Sequence, residues 1–304
     1  MFTAMFKGCG TALVTPFRKD QSLDEETLRK LVRRQIAAGI NFLVPCGTTG
    51  ESPTLTRAEH LRVVGITVEE AKGKVPVLGG AGGYNTAEVI ELAKELKHLG
   101  VDGILSVTPY YNKPTQEGLY QHFQAIAAAV PLPMIVYSVQ GRTGVNVEPA
   151  TLKRLAEIDN IVGVKEASGN ISQMASVLHH VPESFNVLSG DDAITLPLIA
   201  LGGRGIISVV SNEIPGEMTR LTQLGLAGEF AGARAVQRQF LPLMEVNFVE
   251  SNPIPVKAAM AIMGLCEPVW RLPMCAPSAQ NLAKIEAVLK AVGLLGSARG
   301  THAD

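Results

Sequence analysis

The chain has 304 residues, 46% of them hydrophobic and 18% charged, with a formal net charge of -1. That length is enough to bury a full core and sits near the upper size for one domain. Lys and Arg are neither in excess nor clustered, so charge gives no basis for binding nucleic acid or a membrane surface.

Residues 1–10 lack a basic stretch followed by an apolar one. No apolar run approaches the ~20 residues that span a bilayer. The four cysteines, Cys9, Cys46, Cys266 and Cys275, lie far apart without a C-x-x-C pair. These features predict a cytoplasmic protein with free thiols.

Short apolar runs at 10–17, 42–47, 75–80, 103–108, 134–139, 161–165, 186–189 and 205–210 predict eight strands. Several are apolar on consecutive residues, as expected for parallel strands buried on both faces. Amphipathic stretches lie between them. In 24–38 the set Leu28, Leu31, Val32 and Ile36 shares one face and Gly39 stops the helix. Thr56 with Glu59 predicts a capping box for the next helix, which Gly73 ends. The segment 86–99 repeats the scheme before Gly100.

This unbroken rhythm predicts an α/β fold of the (β/α)8-barrel type, with residues 1–228 as the catalytic barrel. The run Gly79-Gly80-Ala81-Gly82-Gly83 lacks the dinucleotide-binding spacing. After residue 228 only helical patterns remain, at 229–246, 255–263 and 278–292. Residues 229–304 are therefore expected to form a helical extension packed on the barrel, with a frayed tail at 297–304.

Active sites of such barrels form at the C-terminal ends of the strands. The polar groups there are Thr15, Thr48, Thr49, Glu51, Thr108, Tyr110, Tyr111, Tyr137, Ser138, Lys165, Glu166, Gly190, Asp191, Asp192 and Ser208. Lys165 follows Ile161-Val162-Gly163-Val164, at the top of a buried strand. An amine desolvated there gives up its proton more readily and can attack a ketone to form an imine. A solvated lysine ending the strand fits the position equally well. Tyr137, on the adjacent strand, could shuttle protons with Thr48 and Tyr111, or simply cap the core with its hydroxyl. Gly47-Thr48-Thr49-Gly50 offers amides and hydroxyls to a carboxylate, or is a structural turn. Arg142 could clamp a second carboxylate, or is a surface-loop arginine. The histidines lie in helical or tail segments, so no metal is expected, and Asp191-Asp192 reads as an acidic helix N-terminus.

Taken in order, the motifs resemble a known family. They are Gly47-Thr48-Thr49-Gly50-Glu51-Ser52, Thr108-Pro109-Tyr110-Tyr111-Asn112-Lys113-Pro114, Gly141-Arg142-Thr143-Gly144, Val164-Lys165-Glu166-Ala167-Ser168-Gly169 and Asn252-Pro253-Ile254-Pro255-Val256-Lys257. Over nearly the whole chain they are similar to the dihydrodipicolinate synthase family, within the pyruvate-dependent class I aldolases that also include N-acetylneuraminate lyase. The resemblance implies condensation of pyruvate with L-aspartate-4-semialdehyde, feeding diaminopimelate and lysine synthesis. It implies no cofactor beyond a covalent imine between Lys165 and pyruvate. Tyr137, Thr48 and Tyr111 would relay protons, with Tyr111 supplied by a neighbouring subunit. Thr48 and Thr49 would hold the pyruvate carboxylate and Arg142 that of the aldehyde. Gly190 would border the substrate, and the Ile207 carbonyl would lie near the lysine. A homotetramer, built as a dimer of dimers, is implied as well.

The chain departs from the family pattern ahead of the Arg142 loop, where Tyr137-Ser138-Val139-Gln140 stands in place of Tyr-Asn-Val-Pro. Loss of the proline and of the amide predicts a less fixed loop. Ser52, His60, Glu88 and Tyr110 match the effector site at which some members bind L-lysine. Pro53, Arg57 and Tyr84 do not, and Tyr84 replaces an asparagine, so weak or absent lysine inhibition is expected. Two other functions fit the sequence: retro-aldol cleavage of a sialic acid or 2-keto-3-deoxy sugar acid, and a barrel that binds pyruvate or a partner without turnover. Arg142 argues against the first, and the intact Lys165, Tyr137, Thr48 and Tyr111 against the second.

Overall fold

The computed structural model describes residues 5–295. The strands are β1 (Gly8–Ala12), β2 (Phe42–Val44), β3 (Leu78–Gly80), β4 (Gly103–Val107), β5 (Met134–Ser138), β6 (Ile161–Glu166), β7 (Asn186–Ser189) and β8 (Gly205–Ser208). All neighbours pair in parallel, in the order β2-β1-β8-β7-β6-β5-β4-β3. A parallel bridge between Leu43 and Val77 closes the ring. The helices are α1 (Glu25–Ala37), α2 (Arg57–Ala71), α3 (Thr86–His98), α4 (Gln116–Ala129), α5 (Gln140–Thr143), α6 (Pro149–Leu155), α7 (Ile171–His180), α8 (Thr195–Ala200) and α9 (Pro215–Leu226). Beyond them come α10 (Phe230–Val246), α11 (Ile254–Ile262) and α12 (Ala279–Ala291). The chain is thus a (β/α)8 barrel with C-terminal helices, as the alternation predicts. The tail at 297–304 lies outside the described residues.

Two strands are shorter than their apolar runs, β2 at its end and β3 at its start. Pro45 and Pro76 have no N–H to donate, so regular pairing stops beside them. Their carbonyls still close the barrel, accepting from Gly80 N at 3.0 Å and from Leu43 N at 2.9 Å. Residues 13–17 leave the sheet after β1, and the Val14 N–H turns to the side chain of Asn212 at 3.1 Å.

Alternation along the strands divides the core in two. Outward residues such as Leu43, Ile104, Val136, Val164, Val187 and Ile206 pack against the helices. Inward ones, among them Phe42, Leu78, Leu105, Ile135, Tyr137, Leu188 and Ile207, fill the barrel. Gly10 makes room at the bottom: a Cβ there would sit 2.1 Å from the Phe42 ring. The interior is packed solid, which leaves the C-terminal rim as the place for a ligand.

The helix starts follow their sequence signals. The Asp24 carboxylate caps α1 by accepting from Thr27 N, and Thr56 with Glu59 forms the expected box on α2. The C-terminal helices are fixed by polar ties as well as apolar contact. Lys257 of α11, fully buried, forms an ion pair with Glu51, donates to the Val269 carbonyl at 3.0 Å and lies 4.3 Å from the Phe17 ring centroid. Arg271 reaches the Thr54 carbonyl at 2.9 Å and Glu59 at 2.5 Å.

Candidate active site

Register carries the central lysine into the rim. Lys165 on β6 stands opposite Tyr137 on β5 and Leu188 on β7, and in a parallel sheet directly paired residues point to the same face. Because Tyr137 and Leu188 face the barrel interior, Lys165 does too. Its side chain is 5% exposed, and its Nζ lies 4.4 Å from the centroid of the Tyr137 ring.

A cavity of about 120 Å³ opens above this pair, and Thr48, Thr49, Arg142 and Gly190 border it together with Tyr137 and Lys165. That volume suits a three-carbon acid. A larger cavity of about 440 Å³ adjoins it, sharing Thr48, Tyr137 and Arg142. Gly190 is needed for the lysine's path: a Cβ there would lie 2.5 Å from Ala167 Cβ and 3.2 Å from Lys165 Cε. Ile207 is buried on β8 within the barrel interior and does not border the cavity.

Tyr111 is not brought to Lys165 by its own chain. It is 92% exposed, with φ of 69°, a left-handed conformation that places its ring on the outer surface.

The loop predicted to be less fixed is hydrogen-bonded along its length. The Ser138 hydroxyl donates to Asn146 Oδ1 and accepts from Val147 N, each at 3.1 Å, so it ties the loop to the end of β5. Gln140 opens α5, the Arg142 N–H reaches the Val139 carbonyl at 2.9 Å, and Gly144 closes the turn at φ of 74°. Asn146 is held in turn by Gln173, which also donates to Glu166 at 2.8 Å. Glu166 is fully buried, and burial raises its pKa above the usual carboxylate range.

Several polar residues at the strand ends support the site from below instead of facing it. Thr15 donates to the Gly50 carbonyl at 2.7 Å, fixing the Thr48-Thr49 turn, and Thr108 donates to Thr143 at 3.1 Å. The reading of Asp191-Asp192 as a helix N-terminus needs correction. The short helix α8 starts later, at Thr195, and Asp192 folds back under the end of β8. Its carboxyl accepts from Ser208 Oγ at 2.6 Å and from Val209 N and Val210 N at 3.1 Å each. Burial raises its pKa to about 6.

The expected effector positions form a continuous surface beside the larger cavity. Ser52, His60 and Tyr110 border that cavity, while Tyr84, Glu88 and Tyr110 border a neighbouring cleft of about 170 Å³. Tyr84 fills part of the cleft edge-on against Tyr110, with centroids 5.2 Å apart. The His60 ring is bonded to the Gly80 carbonyl at 2.8 Å, and burial lowers its pKa.

Asn252 is a cavity residue that strand-end reasoning misses. It lies 203 residues from its partner Thr49, and no local period connects the two. Its sequence signals are its place in the Asn252-Pro253-Ile254-Pro255-Val256-Lys257 motif and a polar side chain directly before the helix start.

Known proteins resemble the chain over nearly its whole length. The model of the dihydrodipicolinate synthetase family matches residues 5–292. The 4-hydroxy-tetrahydrodipicolinate synthase of Koribacter versatilis (strain Ellin345) is 54% identical, over 96% of this chain and 98% of that protein. The enzyme of the same name from Nitratidesulfovibrio vulgaris (strain DSM 19637 / Miyazaki F) is 52% identical, over 95% and 99%. Among solved structures, the dihydrodipicolinate synthase of Thermotoga maritima superposes with a TM-score of 0.93 at 46% identity, over 96% of this chain and all of that one. With a match of this length, the chain belongs to the dihydrodipicolinate synthetase family.

Proposed function

We infer that the protein is a class I lyase of the aldolase type, a 4-hydroxy-tetrahydrodipicolinate synthase that condenses pyruvate with L-aspartate-4-semialdehyde in lysine and diaminopimelate biosynthesis. The observation that carries this reading is the buried Lys165 amine beside the Tyr137 ring, under a cavity sized for pyruvate.

In this reading Lys165 Nζ adds to C2 of pyruvate, and loss of water gives the imine. Removal of a C3 proton yields an enamine, whose C3 attacks the aldehyde carbon. The product's ring nitrogen is the aldehyde's own amine, so that amine must displace Lys165 from C2 and free the enzyme. Each step moves a proton, and the hydroxyls of Tyr137 and Thr48 border the cavity where these transfers take place. Tyr111 completes the relay from a neighbouring subunit of a homotetramer, which accounts for its exposure here. Thr48 and Thr49 bind the pyruvate carboxylate, and the Arg142 guanidinium, with its fork of donors, binds the carboxylate of the aldehyde. The covalent imine replaces any external cofactor. Residues 1–228 carry the chemistry, and the helices after residue 228 act as its brace.

Borohydride treatment in the presence of pyruvate tests this reading. A stable adduct of reduced pyruvate on Lys165, found by peptide mapping, is the expected result. An adduct elsewhere, or none, would remove the mechanism.

A further inference from the structure

We propose that Asn252 is a positioning residue that sets the two carboxylate-binding groups in register, so that the C-terminal helices take part in the condensation. This rests on the proposed roles of Thr49 and Arg142. Asn252 is 4% exposed and borders the same cavity as Lys165. Its side-chain Nδ2 donates to Thr49 Oγ1 at 3.0 Å, and its backbone carbonyl accepts from an Arg142 Nη2–H at 3.0 Å. One residue therefore holds both sides of the cavity, the β2 turn through its amide and the β5 loop through its main chain.

The chemistry of the two ties explains what they accomplish. A hydroxyl has one hydrogen and two lone pairs. With an amide N–H seated on a lone pair of Thr49 Oγ1, the hydroxyl hydrogen is left to donate to a carboxylate in the cavity. Arg142 is a long, exposed side chain with about 2 kcal/mol of rotamer entropy. Tethering one N–H on the Asn252 carbonyl restricts that freedom and leaves the remaining donors for the aldehyde. Asn252 is itself well anchored. Five residues on, Lys257 is paired with Glu51, two residues beyond Thr49, which closes a loop of contacts around the turn. The side-chain amide is held at this position by its N–H contact to Thr49.

Kinetics of Asn252→Ala, alone and combined with Thr49→Val, test the proposal. Asn252→Ala is expected to raise the KM for pyruvate about tenfold, the effect of losing one hydrogen bond that orients a group binding a charged ligand. In the Thr49→Val background, where that bond no longer exists, the same change is expected to alter the pyruvate KM less than twofold. A merely structural role would lower the active fraction, and hence kcat, equally in both backgrounds. An unchanged pyruvate KM, or an equal effect in both backgrounds, overturns the proposal. If Asn252→Ala does not fold, Asn252→Asp keeps the shape and presents acceptors to Thr49. That turns the hydroxyl hydrogen away from the cavity and is expected to raise the pyruvate KM, and no rise overturns the proposal. Borohydride trapping of the unaltered protein is run alongside. No adduct on Lys165 there would defeat the aldolase reading itself, whereas normal trapping with an unchanged KM defeats only the role of Asn252.

Discussion

Replacing Lys257 with methionine removes one half of a buried ion pair and keeps the apolar length of the side chain. In the folded protein Lys257 is 0% and Glu51 2% exposed, so the Glu51 carboxylate left behind has no access to water. Its remaining contact is the Arg271 N–H at 3.4 Å, too long to compensate a full charge. Breaking a buried pair by removing one partner costs about 3–5 kcal/mol. With an unfolding entropy of ~2.1 cal/mol/K per residue over 304 residues, a loss of about 4 kcal/mol lowers Tm by about 6 °C. Scanning calorimetry of Lys257→Met, Glu51→Gln and the double variant measures this. Each single change is expected to lower Tm by several degrees, and the double to recover more than half of the loss because no orphan charge remains. Singles within about 2 °C of the unaltered protein, or a double variant as low as the sum of the singles, would refute the idea that this pair fastens the helices to the turn.

Four other outcomes follow from the same structure. Gly190→Ala, whose new Cβ would press on Ala167 and the Lys165 stem, is expected to lower kcat at least tenfold while stability falls by about 1–3 kcal/mol, read by turnover and denaturant unfolding. Mixing Lys165→Ala with Tyr111→Phe, each nearly inactive alone, is expected to restore activity after subunit exchange, since hybrids then contain intact shared sites. No recovery in verified hybrids would place Tyr111 outside the neighbour's site. L-lysine at millimolar concentration is expected to leave activity almost unchanged, because Tyr84 occupies the cleft against Tyr110 and Arg57 adds positive charge at its edge. Asp192, raised to about 6 from 3.8 by burial, binds its proton more tightly in the folded state and therefore contributes stability at low pH that is lost as pH rises through about 6. It corresponds to about 3 kcal/mol. His122, lowered to about 4, acts in the opposite sense over the same range, so the measurement is unfolding free energy at pH 4 and 7 relative to Asp192→Asn.

The alternation of apolar runs and amphipathic stretches made the barrel legible, because parallel strands covered on both faces leave long hydrophobic runs that turn residues divide cleanly. Lys165 was only half legible: the run Ile161-Val162-Gly163-Val164 fits a solvated lysine ending the strand equally well, and the register that turns it into the barrel exists only in the folded sheet. Strand ends were less legible, since runs through Pro45 and Pro76 stay apolar where pairing stops. The cost of replacing the family's asparagine with Ser138 was also hidden. Its hydroxyl finds Asn146 and Val147 only once the loop is folded. The contacts of Asn252 and Asp192 escaped for a shared reason, although both residues stand in the motifs or strand ends singled out, in that each acts on a residue far away in sequence or on backbone that only the folded barrel brings near.

The most direct test of the account is turnover of pyruvate with L-aspartate-4-semialdehyde, coupled to the next reductase and followed as NADPH oxidation. Robust turnover that disappears in Lys165→Ala, while the variant keeps the fold, is the predicted result. Turnover that survives in Lys165→Ala would contradict the imine mechanism. No turnover in the unaltered protein, with pyruvate still trapped on Lys165, would contradict the acceptor and point instead to a sugar-acid aldolase.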